Sequence, residues 1–96
     1  MHWQEPEIRW AAPALNYFIR KFRPTLHDLD CVMALLEFVR DHPDDTEVRA
    51  VVDKALIRPL EGIEGDVYRS GDDAWLVYYN WLPDLIFVVH VESAKK

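Results

Sequence analysis

Ninety-six residues make one small domain and are too few for two. Half of them are hydrophobic and 12% are aromatic, which excludes an intrinsically disordered chain. Eleven Lys and Arg face 17 Asp and Glu, a net charge of −6, and that sign argues against nucleic acid as the main surface partner. The charge is uneven. Residues 1–24 hold four bases and two acids, and residues 25–96 hold seven and fifteen, so the two parts carry +2 and −8.

No apolar run reaches the ~18–20 residues of a membrane-spanning helix, so no membrane association is expected. Met1-His2-Trp3-Gln4-Glu5 lacks the charged start and apolar stretch of a signal peptide. Cys31 is the single cysteine and cannot form an internal disulfide. Its apolar neighbours suit a buried, inert thiol, and a catalytic cysteine is the alternative. One Cys and four scattered His show no zinc-ligand spacing, so neither a metal nor a cofactor is expected. A reducing, cytoplasmic setting fits these features.

In chain order, Pro6-Glu7-Ile8-Arg9-Trp10 alternates apolar and charged, the pattern of a short strand. Pro13 suits the first turn of a helix. Leu15, Phe18, Ile19 and Phe22 then form one apolar face, and Pro24 ends the helix. Thr25 caps a second helix, with Leu29, Val32, Met33 and Leu36 at helical spacing and a stop near Asp41-His42-Pro43. Asp44 or Asp45 then caps a third, because Val48, Val51, Val52, Ala55 and Leu56 again repeat at helical spacing. Past residue 60 the period changes. Strands are expected over Asp66–Ser70, Ala74–Asn80 and Leu85–Val91, with turns at Gly71-Asp72-Asp73 and Leu82-Pro83-Asp84. The last strand is almost wholly apolar, which suits a central strand covered on both faces. The fold class is α+β: a short N-terminal strand, two to three helices, then a three-stranded antiparallel meander, with the helices on one face of the sheet. A first strand joining the meander would make four.

No phosphate loop, HExxH or Gly-x-Ser-x-Gly is present. The segment entering the sheet holds the candidate chemistry. It runs Arg58-Pro59-Leu60-Glu61-Gly62, then Tyr68-Arg69, Gly71-Asp72 and Leu76-Val77-Tyr78, and closes on an apolar strand with His90. With the entry Ile8-Arg9-Trp10-Ala11-Ala12-Pro13-Ala14-Leu15, it resembles the RelE/ParE superfamily of bacterial toxin–antitoxin proteins over residues 8–92. The resemblance implies a short strand, two antiparallel helices and a meander, and a cognate antitoxin wrapped around the toxin. The chain also departs from the family. Trp75 stands where the strand after the Gly-Asp turn usually has Arg, and Ser93-Ala94 and then Lys95 stand where a terminal Arg would follow. RelE-type ribonucleases use several Lys and Arg to hold phosphate and stabilise developing charge. Only Arg58, Arg69 and His90 match that set here. ParE-like members, which poison DNA gyrase, fit the missing bases better. The implied activity is therefore binding to a macromolecular target rather than a complete ribonuclease site.

The target-binding candidates are Arg58, Arg69, Trp75, Tyr79 and His90. The partner-binding candidates are Arg20, Lys21, Arg23 and Trp81. Each has a structural alternative. Arg58 and the Arg20-Lys21-Arg23 cluster also read as helix-end cations, and Arg69 as a salt-bridged strand residue. The aromatics also read as core or sheet surface. His90, placed on the Ile86/Val88 face, also reads as a hydrogen-bonded structural residue. A second function reading is a small acidic inhibitor or immunity-type protein that neutralises a basic enzyme. A protein partner, antitoxin or target enzyme, is expected in either case. Homodimerisation is compatible with a short sheet that has an edge to cover. Charge placement separates the readings. A toxin gathers Arg58, Arg69 and Lys95 on one concave face, whereas an inhibitor presents a continuous acidic or aromatic face.

Overall fold

Thr25 and Asp28 show how local chemistry starts this fold. Thr25 Oγ1 accepts from the Asp28 N–H at 3.1 Å, and Asp28 Oδ2 accepts from the Thr25 N–H at 2.9 Å. This reciprocal capping box satisfies two of the N–H groups that a helix start leaves unpaired. It opens helix α2, Leu26–Asp41. Before it lie strand β1, Glu7–Trp10, and helix α1, Ala12–Phe22, with Pro13 in the first turn. Helix α1 stops at Arg23, which turns left-handed (φ 46°) and bonds its N–H to the Ile19 carbonyl, and Pro24 prevents continuation. The structure is a computed structural model and describes residues 6–95. The opening residues 1–5 read above, and Lys96, lie outside the described residues.

The third helix does not form. Its span is a 3₁₀ turn at Thr46–Val48, a strand β2 at Ala50–Val52 and a 3₁₀ turn at Lys54–Leu56. Three of the five stripe residues are valines, stiff at χ1 and better suited to a pleated strand. Asp45 and Asp53 also accept from the N–H groups of Glu47 and Ala55, at 2.9 and 3.0 Å. Such local bonds give the backbone an alternative to the helix. The stripe is not a buried face either, since Val51 is 70% exposed and Leu56 81%.

The remaining strands are β3 (Val67–Gly71), β4 (Trp75–Leu82) and β5 (Leu85–Ser93), close to their expected spans. They form the expected antiparallel meander, but as the middle of a five-stranded mixed sheet of order β1-β5-β4-β3-β2. β1 pairs parallel with β5, and β2 pairs antiparallel with β3.

Two cores lie on the two sheet faces. Phe18, Val32, Leu36 and Val39 of the helices pack on Trp75, Val77, Tyr79, Ile86, Val88 and Val91. On the other face, Leu60 sits with Val67, Tyr78 and Val89, joined by Val52, Ile57 and Ile63. The helices are thus on one face, as expected, and the 3₁₀ segment roofs the other. β5 is covered on both sides, which is why its sequence is nearly all apolar.

Candidate functional site

β4 and β5 slip register between Tyr78 and Tyr79: Tyr78 opposes His90, and Tyr79 opposes Val88. Such an irregularity re-aims side chains. Directly opposed residues share a face, so His90 joins Tyr78, away from Ile86 and Val88. The strict alternation that places His90 on the Ile86/Val88 face fails at this slip.

His90 is 3% exposed. Its ring lies 4.9 Å from Tyr17 of α1 and 5.4 Å from Tyr78, centroid to centroid. Its Nε2 is 3.0 Å from Glu92 Oε2. An ionised carboxylate can only accept, so Nε2 carries the hydrogen. Tyr17 donates to the same oxygen at 3.1 Å, and Lys21 Nζ donates to the Tyr17 hydroxyl at 2.7 Å and to Glu92 Oε1 at 3.5 Å. Burial pushes the Glu92 carboxyl up, but the hydrogen bonds from His90 and Tyr17 and the charges of Lys21 and His90 outweigh it, and the net shift is downward. The Tyr17 hydrogen bond, followed by the Glu92 charge, holds Lys21 above its ordinary value. The network ties α1 to the end of β5. A His–carboxylate pair is an acid–base pair in chemistry, but in this one the imidazole is buried and spends its donor on the carboxylate, and only Glu92 is part-exposed.

A second polar cluster surrounds Arg49, just before β2. Its side chain reaches back to the end of α2, where Nη1 donates to the Pro43 carbonyl at 3.0 Å, and Nη2 to His42 at 3.0 Å and Val39 at 3.3 Å. These include carbonyls that a helix C-terminus leaves unpaired, and the negative end of the helix dipole favours the cation. The guanidinium carbon lies 3.5 Å from the Trp81 ring centroid. Nearby, Ser70 donates its hydroxyl hydrogen to the Val48 carbonyl, which leaves Tyr79 to donate to Ser70 Oγ at 2.8 Å. Burial raises the Tyr79 pKa, against the opposing effects of the Ser70 bond and the Arg49 charge.

The expected site residues sit in different surroundings. Trp75 and Tyr79 are core residues of the helix-side face, 9% and 0% exposed, so as placed they offer a partner almost no surface. Trp81 packs on the edge of that core under Arg49. Arg58 is exposed in the 3₁₀ turn Arg58–Leu60, and Arg69 is exposed on β3 opposite Tyr78. Arg20 and Lys21 are exposed in the last turn of α1 and Arg23 is exposed at its cap, with Lys21 committed to Tyr17 and Glu92. Three clefts open between described residues. Arg69 lines one of them, and Arg58, His90 and Lys95 line none of the three.

Sequence reasoning missed Arg49, Tyr17 and Glu92. Arg49 stood at a polar position between valines, where a helical reading turns it to solvent. Glu92 lay just past the expected strand. No local signal marked either residue.

Among the described residues, no group of three or more His, Cys, Asp or Glu could hold a metal ion, and no helix is long and apolar enough to cross a membrane. Fold and site together define an α+β domain with a mixed five-stranded sheet and two internal polar clusters. No family model, curated protein or solved structure matches the chain.

The Glu92 network predicts a pH dependence. A carboxylate held below its ordinary value stabilises the fold above that value, about 4.5, and its contribution is lost as pH falls through the lower folded value. Glu92→Gln is expected to cost about 0.5–1 kcal/mol at neutral pH, a small amount because the group is part-exposed. The two proteins should converge as pH falls from about 4.5 through the lower folded value. Urea midpoints across pH 3–7 check this, and parallel curves for the two proteins would show that the network carries no linkage.

Proposed function

We propose that this chain is a RelE/ParE-like toxin–antitoxin module protein that acts by binding a macromolecular target rather than by cutting RNA. The burial of His90 carries the second half of this reading. Of the three residues matching a ribonuclease, Arg58 is on a 3₁₀ turn, Arg69 is on β3, and His90 is enclosed by Tyr17, Tyr78 and Glu92. Phosphate positioning and charge stabilisation need donors that can reach the substrate, and His90 is 3% exposed. The order of strand, two helices and antiparallel meander supports the family half of the reading.

Induced expression in a bacterial host is the test. The expected outcome is growth arrest with mRNA left intact, relieved when an adjacent short reading frame is coexpressed. Normal growth would end the toxin reading, and mRNA cleavage abolished by Arg69→Ala would restore the ribonuclease.

One observation favours the acidic inhibitor as a second reading. Asp30, Glu37 and Asp41 are exposed, and their spacing places them on one face of α2, with exposed Asp44 and Asp45 just beyond. An acidic stripe of this kind steers a basic partner. Inhibition of a basic enzyme that weakens with added salt, together with normal growth, would mark this reading.

A further inference from the structure

The two edges of the sheet differ in kind. β1 carries exposed Glu7 and Arg9, paired with each other at 3.1 Å. Charged side chains blunt an edge against further strand pairing. β2 is Ala50-Val51-Val52, with no charge in the strand and Val51 70% exposed. It is also short. It pairs with Val67–Arg69 only, whereas β3 runs on through Ser70 and Gly71. A notch of about 560 Å³ opens there, with Leu35, Phe38 and Leu76 as apolar lining and Glu47 and Asp72 as acids. Phe38 is 48% exposed.

The exposed charge flanking β2 in the chain is acidic. Asp45, Glu47 and Asp53 flank β2 in the chain, Asp72 lines the notch with Glu47, and all four are exposed. The one base in that stretch, Arg49, turns its guanidinium inward onto α2 carbonyls and Trp81. Lys54, just beyond, is bound to the carbonyls of Ile63 and Gly65 at 2.7 and 2.6 Å. Arg69 is the exposed base lining the notch.

We propose that the β2 edge receives an extended, basic segment of a partner protein as an added strand. The partner's backbone pairs with β2, an apolar side chain enters the notch beside Phe38, and Lys or Arg on the alternate positions meet Glu47, Asp53 and Asp72. In strand addition, main-chain bonds supply affinity and alternate side chains supply specificity. A second copy of this chain is the poorer occupant, because it would bring the same acids against these acids. The inference goes beyond the toxin reading and does not depend on it, since binding and growth are measured separately.

The test uses labelled peptides alternating Lys with Val, Lys with Gly, and Glu with Val, read by fluorescence anisotropy on the full chain. The Lys-Val peptide should bind about tenfold more tightly than the other two, because it alone combines charge and strand propensity. Val51→Lys should weaken it by about tenfold through like-charge repulsion. Asp53→Asn with Glu47→Gln should weaken it several-fold without touching the core. Amide NMR shifts should cluster at residues 48–53 and 69–72. Equal binding of the two Lys peptides, shifts centred on β1, or self-association through β2 would each overturn the proposal.

Discussion

Phe18→Ala is expected to destabilise the protein by about 3–5 kcal/mol, the cost of an enclosed aromatic cavity. Phe18 is wholly buried. Its ring stacks on Trp10 at 5.8 Å, tilts against Phe22 at 6.1 Å, and meets Trp75 edge-on at 5.3 Å. Those neighbours belong to β1, α1 and β4, so one side chain joins the N-terminal strand, the first helix and the sheet. Each aromatic contact adds to the area buried. A domain of this size has about 5–15 kcal/mol in total, so the variant loses a large share of it. Each kcal/mol moves the Tm by about 4–8 °C in a domain this small. Thermal unfolding followed by near-ultraviolet circular dichroism should show a fall well above about 10 °C. A loss under about 1 kcal/mol would mean that the ring is not enclosed.

Arg49→Ala is expected to cost about 2–4 kcal/mol. A hydrogen bond to a charged group contributes about 1.5–3 kcal/mol and a desolvated cation–π contact about 2. The terms do not add in full, because the freed carbonyls of Val39, His42 and Pro43 can meet water once the side chain is gone. Arg49→Lys keeps the charge but loses the planar fork and the stack on Trp81, so it should restore less than half of the loss. Urea unfolding read by Trp fluorescence measures both variants. If Lys restores nearly everything, charge alone matters, and the geometry of three carbonyls and an indole contributes little.

Much of the architecture was readable from the chain. Thr25 with Asp28 marked the start of α2, and the spacing of Leu29, Val32, Met33 and Leu36 marked its buried side. Pro13 and Pro24 bracketed α1. Alternation placed Trp75, Val77 and Tyr79 on one face of β4, and all three are in the same core. Residues 48–56 keep a helical spacing, but their residue types favour a strand. Valines at helical intervals also suit an edge strand, and only the open side of β3 decides between them. His90 was assigned to the wrong face because a strand slip of one residue reverses every side chain beyond it.

The candidate site was less legible than the fold. Resemblance points to Arg58, Arg69 and His90; the register sets Arg69 and His90 on either side of Tyr78, but the groups packed around His90 are invisible as neighbours in the sequence. Tyr17 and Glu92 are 75 residues apart in sequence and share a hydrogen bond.

By itself, the sequence determined the acidic balance, the first helix between its prolines, the capped second helix and the three strands of the meander. Those depend on period, propensity and caps, which act over a few residues. Only the tertiary structure decided that β1 runs parallel to β5, that residues 50–52 become an edge strand, and that Arg49 turns inward. Each is a contact between distant segments, chosen by which backbone edge or unpaired carbonyl lies within reach once the core has formed. The acidic charge acquires a location in the same way. It lies along α2 and the β2 edge, because the one base among those edge acids is drawn inside.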